Sequence, residues 1–257
     1  MYDIKRDQWP TFKRSFREYL KYFSNILYLK INLVVFCDEY TLELLKLHLG
    51  ELIHPNVYPV IQSMHDIEYE KYRQNVTRTL ESTEFRTNNA MWLHKHPEAI
   101  SADYILLMSN KLSFMKEAIE INPFRSSHFF WIDAGYGHGN KTSFQVDTIP
   151  WKPSKLLKLK GLITYILLLK DPYIYKGHAY WLHKMPVACV LNGAFFGGDQ
   201  QAVLEYYFLY KSVFKIFLYG HNIVDDDQSI ATMCFYERPT LFNLVRGGWH
   251  DVIKLFS

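Results

Sequence analysis

Phe129-Phe-Trp-Ile-Asp133, followed by Ala134-Gly-Tyr-Gly-His-Gly139, is the stretch that decides the fold. Four apolar residues closed by a carboxylate read as a buried strand that emerges at a sheet rim into a glycine-rich loop. Upstream of it, Tyr104, Leu107, Met108, Leu112, Met115 and Ile119 recur at helical spacing, so the pattern predicts a helix over 104–121 that stops at Asn122-Pro123. Downstream, Val187 to Leu191 reads as a strand running into Asn192-Gly193 and Gly197-Gly198. Asp199 then caps a long helix that Gly220 ends. Nearer the start, Phe12, Phe16, Tyr19, Leu20 and Phe23 mark a helix, with Arg14, Arg17 and Lys21 on its other face. Asn32 to Cys37 and Val57 to Ile61 read as strands, separated by a helix through Leu44, Leu45 and Leu47 that stops at Gly50. Residues 66–100 are polar and show no clear period. Asp225-Asp226-Asp227 precedes a short helix through Ile230 and Met233 that ends before Pro239. Strands alternating with helices imply an α/β fold with a largely parallel central sheet, whose ligands gather at the carboxyl ends of the strands.

The 257 residues show no repeat, low-complexity tract or flexible linker, so a single domain over residues 1–257 is expected. An apolar share of 49% excludes disorder, and the 17% of aromatic residues mostly fill core. The net charge of +3 is too small for polyanion binding, so no nucleic-acid partner is expected. Cys37, Cys189 and Cys234 stand far apart and form neither a disulfide framework nor a zinc-binding spacing. The N-terminus has no apolar signal region, and the longest apolar stretch, Leu162 to Leu169, falls short of the ~20 residues that span a bilayer. A soluble cytoplasmic protein is expected.

Several residues have the chemistry of a site. At a strand end, Asp133 suits a divalent cation beside a phosphate, or it caps the following turn. Gly135-Tyr-Gly-His-Gly139 can bring backbone N–H groups to phosphate oxygens, or it is a flexible loop. Asp225-Asp226-Asp227-Gln228 carries either a carboxylate that accepts a proton from an attacking hydroxyl or a helix cap. The glycines of Asn192-Gly-Ala-Phe-Phe-Gly-Gly198 admit a ligand close to the backbone, or a tight turn or bulge. His94 and His96 lack a third ligand and read as a surface loop. Lys152, Lys155, Lys158 and Lys160 form a solvated face, or one that meets an anionic acceptor or lipid headgroups.

The segments Tyr2-Asp-Ile-Lys-Arg6, Ser109-Asn-Lys111, Phe130-Trp-Ile-Asp-Ala-Gly-Tyr136, Lys160-Gly161-Leu162, Asn222-Ile-Val-Asp-Asp-Asp-Gln228 and Met233-Cys-Phe-Tyr-Glu-Arg-Pro-Thr-Leu-Phe-Asn-Leu244 resemble, in order and over nearly the whole chain, the HtrL/YibB family. That family is counted among bacterial glycosyltransferase-like proteins of the GT-A type and is associated with lipopolysaccharide core genes. The resemblance implies a mixed central sheet flanked by helices. It places Tyr2, Asp3 and Arg6 at the nucleotide edge and Lys111, within the helix, towards phosphate. Asp133 takes the metal-binding position, with His250 as a further metal ligand. Asp227 with Gln228 lies beside the reacting sugar and acceptor, and Asp226, Asn192, Gly193, Gly197 and Gly198 line the acceptor side. Two departures stand out. Asp133-Ala-Gly135 leaves one carboxylate where GT-A enzymes commonly carry Asp-x-Asp. The apolar strand that usually precedes Tyr-Asp-Ile is also not present before Met1, so the first strand is expected to be missing or short.

These implications together give a glycosyltransferase. Its donor is a nucleotide sugar, its acceptor a saccharide or lipid-linked glycan, and its cofactor Mn²⁺ or Mg²⁺, in lipopolysaccharide or surface-glycan synthesis with peripheral contact at the inner membrane. The alternative is a non-catalytic nucleotide- or glycan-binding protein on the same fold. A phosphatase using Asp133 as nucleophile needs a second acid two residues on, and Gly135 stands there.

Overall fold

The computed structural model describes residues 1–177 and 189–257. The first helix, α1 (Phe16–Leu27), starts where a capping box sets it. Ser15 Oγ accepts from the Glu18 N–H at 3.3 Å and Glu18 Oε2 accepts from the Ser15 N–H at 2.7 Å. The box corrects the sequence pattern: Phe12 and Arg14 lie before the helix, and Arg14 is freed from its solvent face. After α1 come β1 (Leu33–Cys37), α2 (Glu39–Leu49) and β2 (Val57–Ile61). The region without a readable period holds four short helices, α3 (Arg73–Glu81), α4 (Thr83–Asn88), α5 (Ala90–Leu93) and α6 (Pro97–Ile100). Helix 104–121 is broken in two, α7 (Ala102–Ser109) and α8 (Lys111–Ile121). Asn110 sits between them, its Oδ1 accepting from the Tyr69 N–H at 3.2 Å. Lys111 therefore opens a helix instead of standing mid-helix.

The rest runs β3 (His128–Ile132), β4 (Ile163–Leu167), β5 (Leu191–Asp199), α9 (Gln200–Lys215), α10 (Asp227–Glu237), β6 (Phe242–Arg246) and α11 (Val252–Phe256). The strand read over Val187 to Leu191 lies partly outside the described residues; β5 starts at its end and continues through the glycines. The α/β class holds, and the sheet is mixed, as the resemblance implies, instead of largely parallel, as the alternation of strands and helices suggests. Strand order is β3-β5-β4-β6, antiparallel at β3/β5 and β5/β4 and parallel at β4/β6, while β1 and β2 form a separate parallel pair. Successive side chains of a strand point to opposite faces. Accordingly, Phe196 and Tyr165 pack with α8, α9 and α10 on one side, and Phe195 and Ile166 with α1 and α11 on the other.

The two sheet pieces present end strands to each other. Leu33 to Phe36 of β1 and His128 to Asp133 at β3 line one cavity of about 1020 Å³. A strand facing a cavity with one side would lend it every second residue; consecutive residues mean that the strand edges line it. No strand forms among residues 1–32, and the Met1 amine donates to the Phe36 carbonyl. No helix among the described residues is long and apolar enough to cross a membrane.

Candidate functional site

At one end of this cavity three distant segments meet on a single ammonium. Lys111 Nζ lies 2.9 Å from Asp227 Oδ2, 3.0 Å from Asp133 Oδ1 and 2.9 Å from the Gly193 carbonyl. The three acceptors match the three protons of an ammonium. Each part is placed by the fold: α8 begins at Lys111, Asp133 directly follows β3, Gly193 lies early in β5, and Asp227 is the first residue of α10. Gly193 is needed for close approach, since a Cβ there would collide with the Asp227 carboxylate. Burial works against the Lys111 charge, but Asp133 and Asp227 outweigh it and raise its pKa. Burial pushes the Asp227 carboxyl up, to about 7, with Lys111 pulling the other way.

Trp131 Nε1 also donates to Asp133 Oδ1, at 2.6 Å. That arrangement does not suit a hard divalent cation, which takes six or more oxygen ligands and would meet the ammonium at their centre. Among the described residues no three His, Cys, Asp or Glu side chains are placed to hold a metal. His250 lines the cavity, but it packs edge-on against Tyr136 and His138 at centroid distances of 5.6 and 5.2 Å.

The other expected site residues divide. Tyr2, Asp3, Arg6, Gly193 and Gln228 line the cavity with Lys111, Asp133, Asp227 and His250. Asp226 does not; its carboxylate is the N-cap of α10, accepting from the Gln228 and Ser229 N–H groups at 3.0 and 3.1 Å. Asn192 is fully buried and donates to the Trp249 carbonyl at 2.9 Å, so it holds the segment before α11 instead of a ligand. Gly197 and Gly198 are also corrected. They pair with Phe130 and Phe129, at the end of β3 away from Asp133, where a Cβ would strike the backbone carbonyls of Phe129 and Leu162. Packing of strand against strand explains them.

Sequence reasoning missed Arg14, Tyr19, His138 and Glu98. Arg6 lies over the Trp9 and Tyr19 rings at 4.9 and 5.4 Å and donates to the Tyr19 hydroxyl and, at 3.2 Å, to the Phe12 carbonyl. Arg14 Nη2 lies 3.4 Å from His138 Nδ1. His138 takes a left-handed φ of 46° between Gly137 (φ 75°) and Gly139 (φ 84°). Burial, with Arg14 beside it, lowers its pKa to about 4. His138 stands inside the glycine run, but a non-glycine residue in that conformation has no sequence signature. Glu98 is pushed to about 7 by burial and by Asp226, with His96 Nδ1 3.2 Å away.

The family model described as "Bacterial protein of unknown function (HtrL_YibB)" matches residues 1–257. The chain belongs to the HtrL_YibB family. Protein HtrL of Escherichia coli (strain K12) is similar to it, 28% identical over 271 residues, covering 99% of this chain and 90% of the relative. No solved structure matches. As a member of HtrL_YibB, the chain combines an ion-paired centre, Lys111 with Asp133 and Asp227, and a cationic rim, Arg6 and Arg14 with His138, in the wall of one cavity.

Proposed function

We propose that this HtrL_YibB protein is a glycosyltransferase on a GT-A-like fold. Its donor is a nucleotide sugar bound in the cavity between β1 and β3, and its acceptor a hydroxyl of a saccharide or lipid-linked glycan. The observation that carries the reading is Asp227: a carboxyl held near pH 7, in the wall of a cavity large enough for such a donor, beside a fixed ammonium. In a single displacement the acceptor oxygen bonds to the anomeric carbon while its proton passes to Asp227. The bond to the diphosphate breaks, and its electron pair leaves on the nucleoside diphosphate. A base with its pKa near the working pH is suited to that step. Lys111 holds Asp227 and Asp133 in place and offsets part of their charge. Gln228 follows Asp227 in the cavity wall. No step is routed through a metal ion.

The test is calorimetric titration with a panel of nucleotide sugars, with and without Mn²⁺ or Mg²⁺, followed by transfer assays on glycan acceptors. Asp227→Asn is expected to lower turnover by about 10²–10⁴-fold while leaving donor affinity nearly unchanged. Binding without transfer would favour the alternative, a nucleotide- or glycan-binding protein, a reading to which the fully engaged Lys111 lends support. Unchanged turnover in Asp227→Asn would remove Asp227 as the base.

A further inference from the structure

Every proton of Lys111 has an acceptor within the protein, so the lysine has none to give to a ligand. The cationic rim differs. Arg6 and Arg14 line the same cavity, and their partners are the Tyr19 hydroxyl, the Phe12 carbonyl and the His138 ring, none of them an anion. Arg6 Nε is buried and has no hydrogen-bond partner. The Tyr19 hydroxyl accepts from Arg6 and lies in hydrogen-bonding range of Arg14, so both guanidinium groups crowd around one neutral oxygen. Asp133 is the nearby acid; it pairs with Lys111 and makes no ion pair with either arginine. Like charges gathered without a counter-charge repel each other, and an anion placed between them relieves that repulsion.

The loop that brings His138 to this place is held tightly. A Cβ on Gly135 would meet the Tyr19 ring, one on Gly139 the Tyr22 ring and one on Gly137 the Phe144 ring, so the loop lies flush against α1. His138 is kept there in a left-handed conformation that a histidine adopts at some cost. Because Arg14 donates, His138 Nδ1 is the acceptor, and the ring proton stands on Nε2 as a further donor.

We infer that Arg6, Arg14 and His138 form an anion site that takes a phosphoryl group without a divalent cation. A guanidinium meets phosphate oxygens in a fork, with charge-assisted hydrogen bonds, and a neutral imidazole adds one more donor. The inference rests on the donor-binding reading only for the identity of its ligand: there, the phosphoryl group is the diphosphate of the sugar donor.

Inorganic pyrophosphate is the probe, titrated calorimetrically into the full chain in the presence of EDTA. Binding is expected, weakening as salt is raised. Arg14→Gln is expected to weaken it roughly 10–100-fold, the loss of one charge-assisted hydrogen bond. Arg17→Gln is the control: it removes the same charge from an exposed position of α1 that does not line the cavity. His138→Asn is expected to weaken binding without lowering the melting temperature, because asparagine tolerates the left-handed conformation. No binding in EDTA, equal effects of Arg14→Gln and Arg17→Gln, or nucleotide-sugar binding that Arg14→Gln leaves intact would overturn the site, the last of these sparing the transferase reading. Pyrophosphate binding that Arg14→Gln weakens, in a protein that neither binds nor transfers any nucleotide sugar, would uphold the site and overturn the transferase.

Discussion

The centre and the rim of the cavity are built on opposite rules. At the centre, a buried ammonium and the buried Asp227 carboxylate pair closely, and the half-buried Asp133 completes the cluster. At the rim, the partly exposed Arg6 guanidinium lies over the Trp9 and Tyr19 rings and against neutral oxygens, and that of Arg14 lies against the His138 ring, with no anion bonded to either. A satisfied buried cluster fixes geometry, whereas an unsatisfied cationic one invites a ligand. The two regions should therefore fail differently: centre variants in stability, rim variants in binding.

The largest effect is expected from Lys111→Met, which leaves two carboxylates without their cation. Breaking a buried ion pair from one side costs about 3–5 kcal/mol, readable as a lower urea midpoint. Adding Asp227→Asn should recover part of that loss, since it removes one of the stranded charges. If Lys111→Met melts like the parent, the centre is not the structural element described here. Gly193→Ala tests the same place without changing charge. Its Cβ would collide with the Asp227 carboxylate, and overpacking of this kind costs about 1–3 kcal/mol.

Glu98 sharpens the comparison through pH. Its folded pKa of about 7 stands above its ordinary value of 4.5. Between those values the unfolded chain releases a proton that the folded protein keeps, so the contribution of Glu98 to stability is full below about pH 4.5 and declines until about pH 7. Asp225, Asp226 and Asp227 are raised as well and contribute in the same direction. His138 acts in the opposite sense, so the test is a difference: relative to the parent, Glu98→Gln should gain stability between about pH 4.5 and pH 7, as measured by urea unfolding at a series of pH values. The smallest effect is expected at the rim, where Arg14→Gln should shift stability by no more than about 0.5 kcal/mol while weakening anion binding.

How far the sequence was legible depends on how local each signal is. Strand β3, the acid at its end, the early glycine of β5 and the helix after Asp226 follow from short-range patterns of apolar residues and caps. Lys111, Asp133 and Asp227 were named together through the family resemblance, and the fold does bring both carboxylates within 3.0 Å of the Lys111 ammonium. The errors arise where a local motif has two physical uses. Asn192-Gly193 and Gly197-Gly198 look alike in sequence, yet Gly193 faces the charge cluster and the second pair allows strands to pack. Arg14 fits the polar face of a helix until the Ser15–Glu18 box starts that helix after it. Glu98 lies in a run of short helices whose placement comes from tertiary packing, so no period in the chain announces it.

The Lys111 cluster also bears on the order of folding. Its ammonium meets Asp227 across 116 residues and the Gly193 carbonyl across 82. Contacts so distant in sequence close late, after the loop entropy between them has been overcome. Until α8, β5 and α10 have docked, these charges retain their water, and any compact arrangement that mispairs them buries a charge without a partner. The cluster therefore discriminates against wrong topologies, widening the gap between the native state and its competitors. Its loss should register chiefly as faster unfolding, the kinetic mark of interactions that form beyond the transition state.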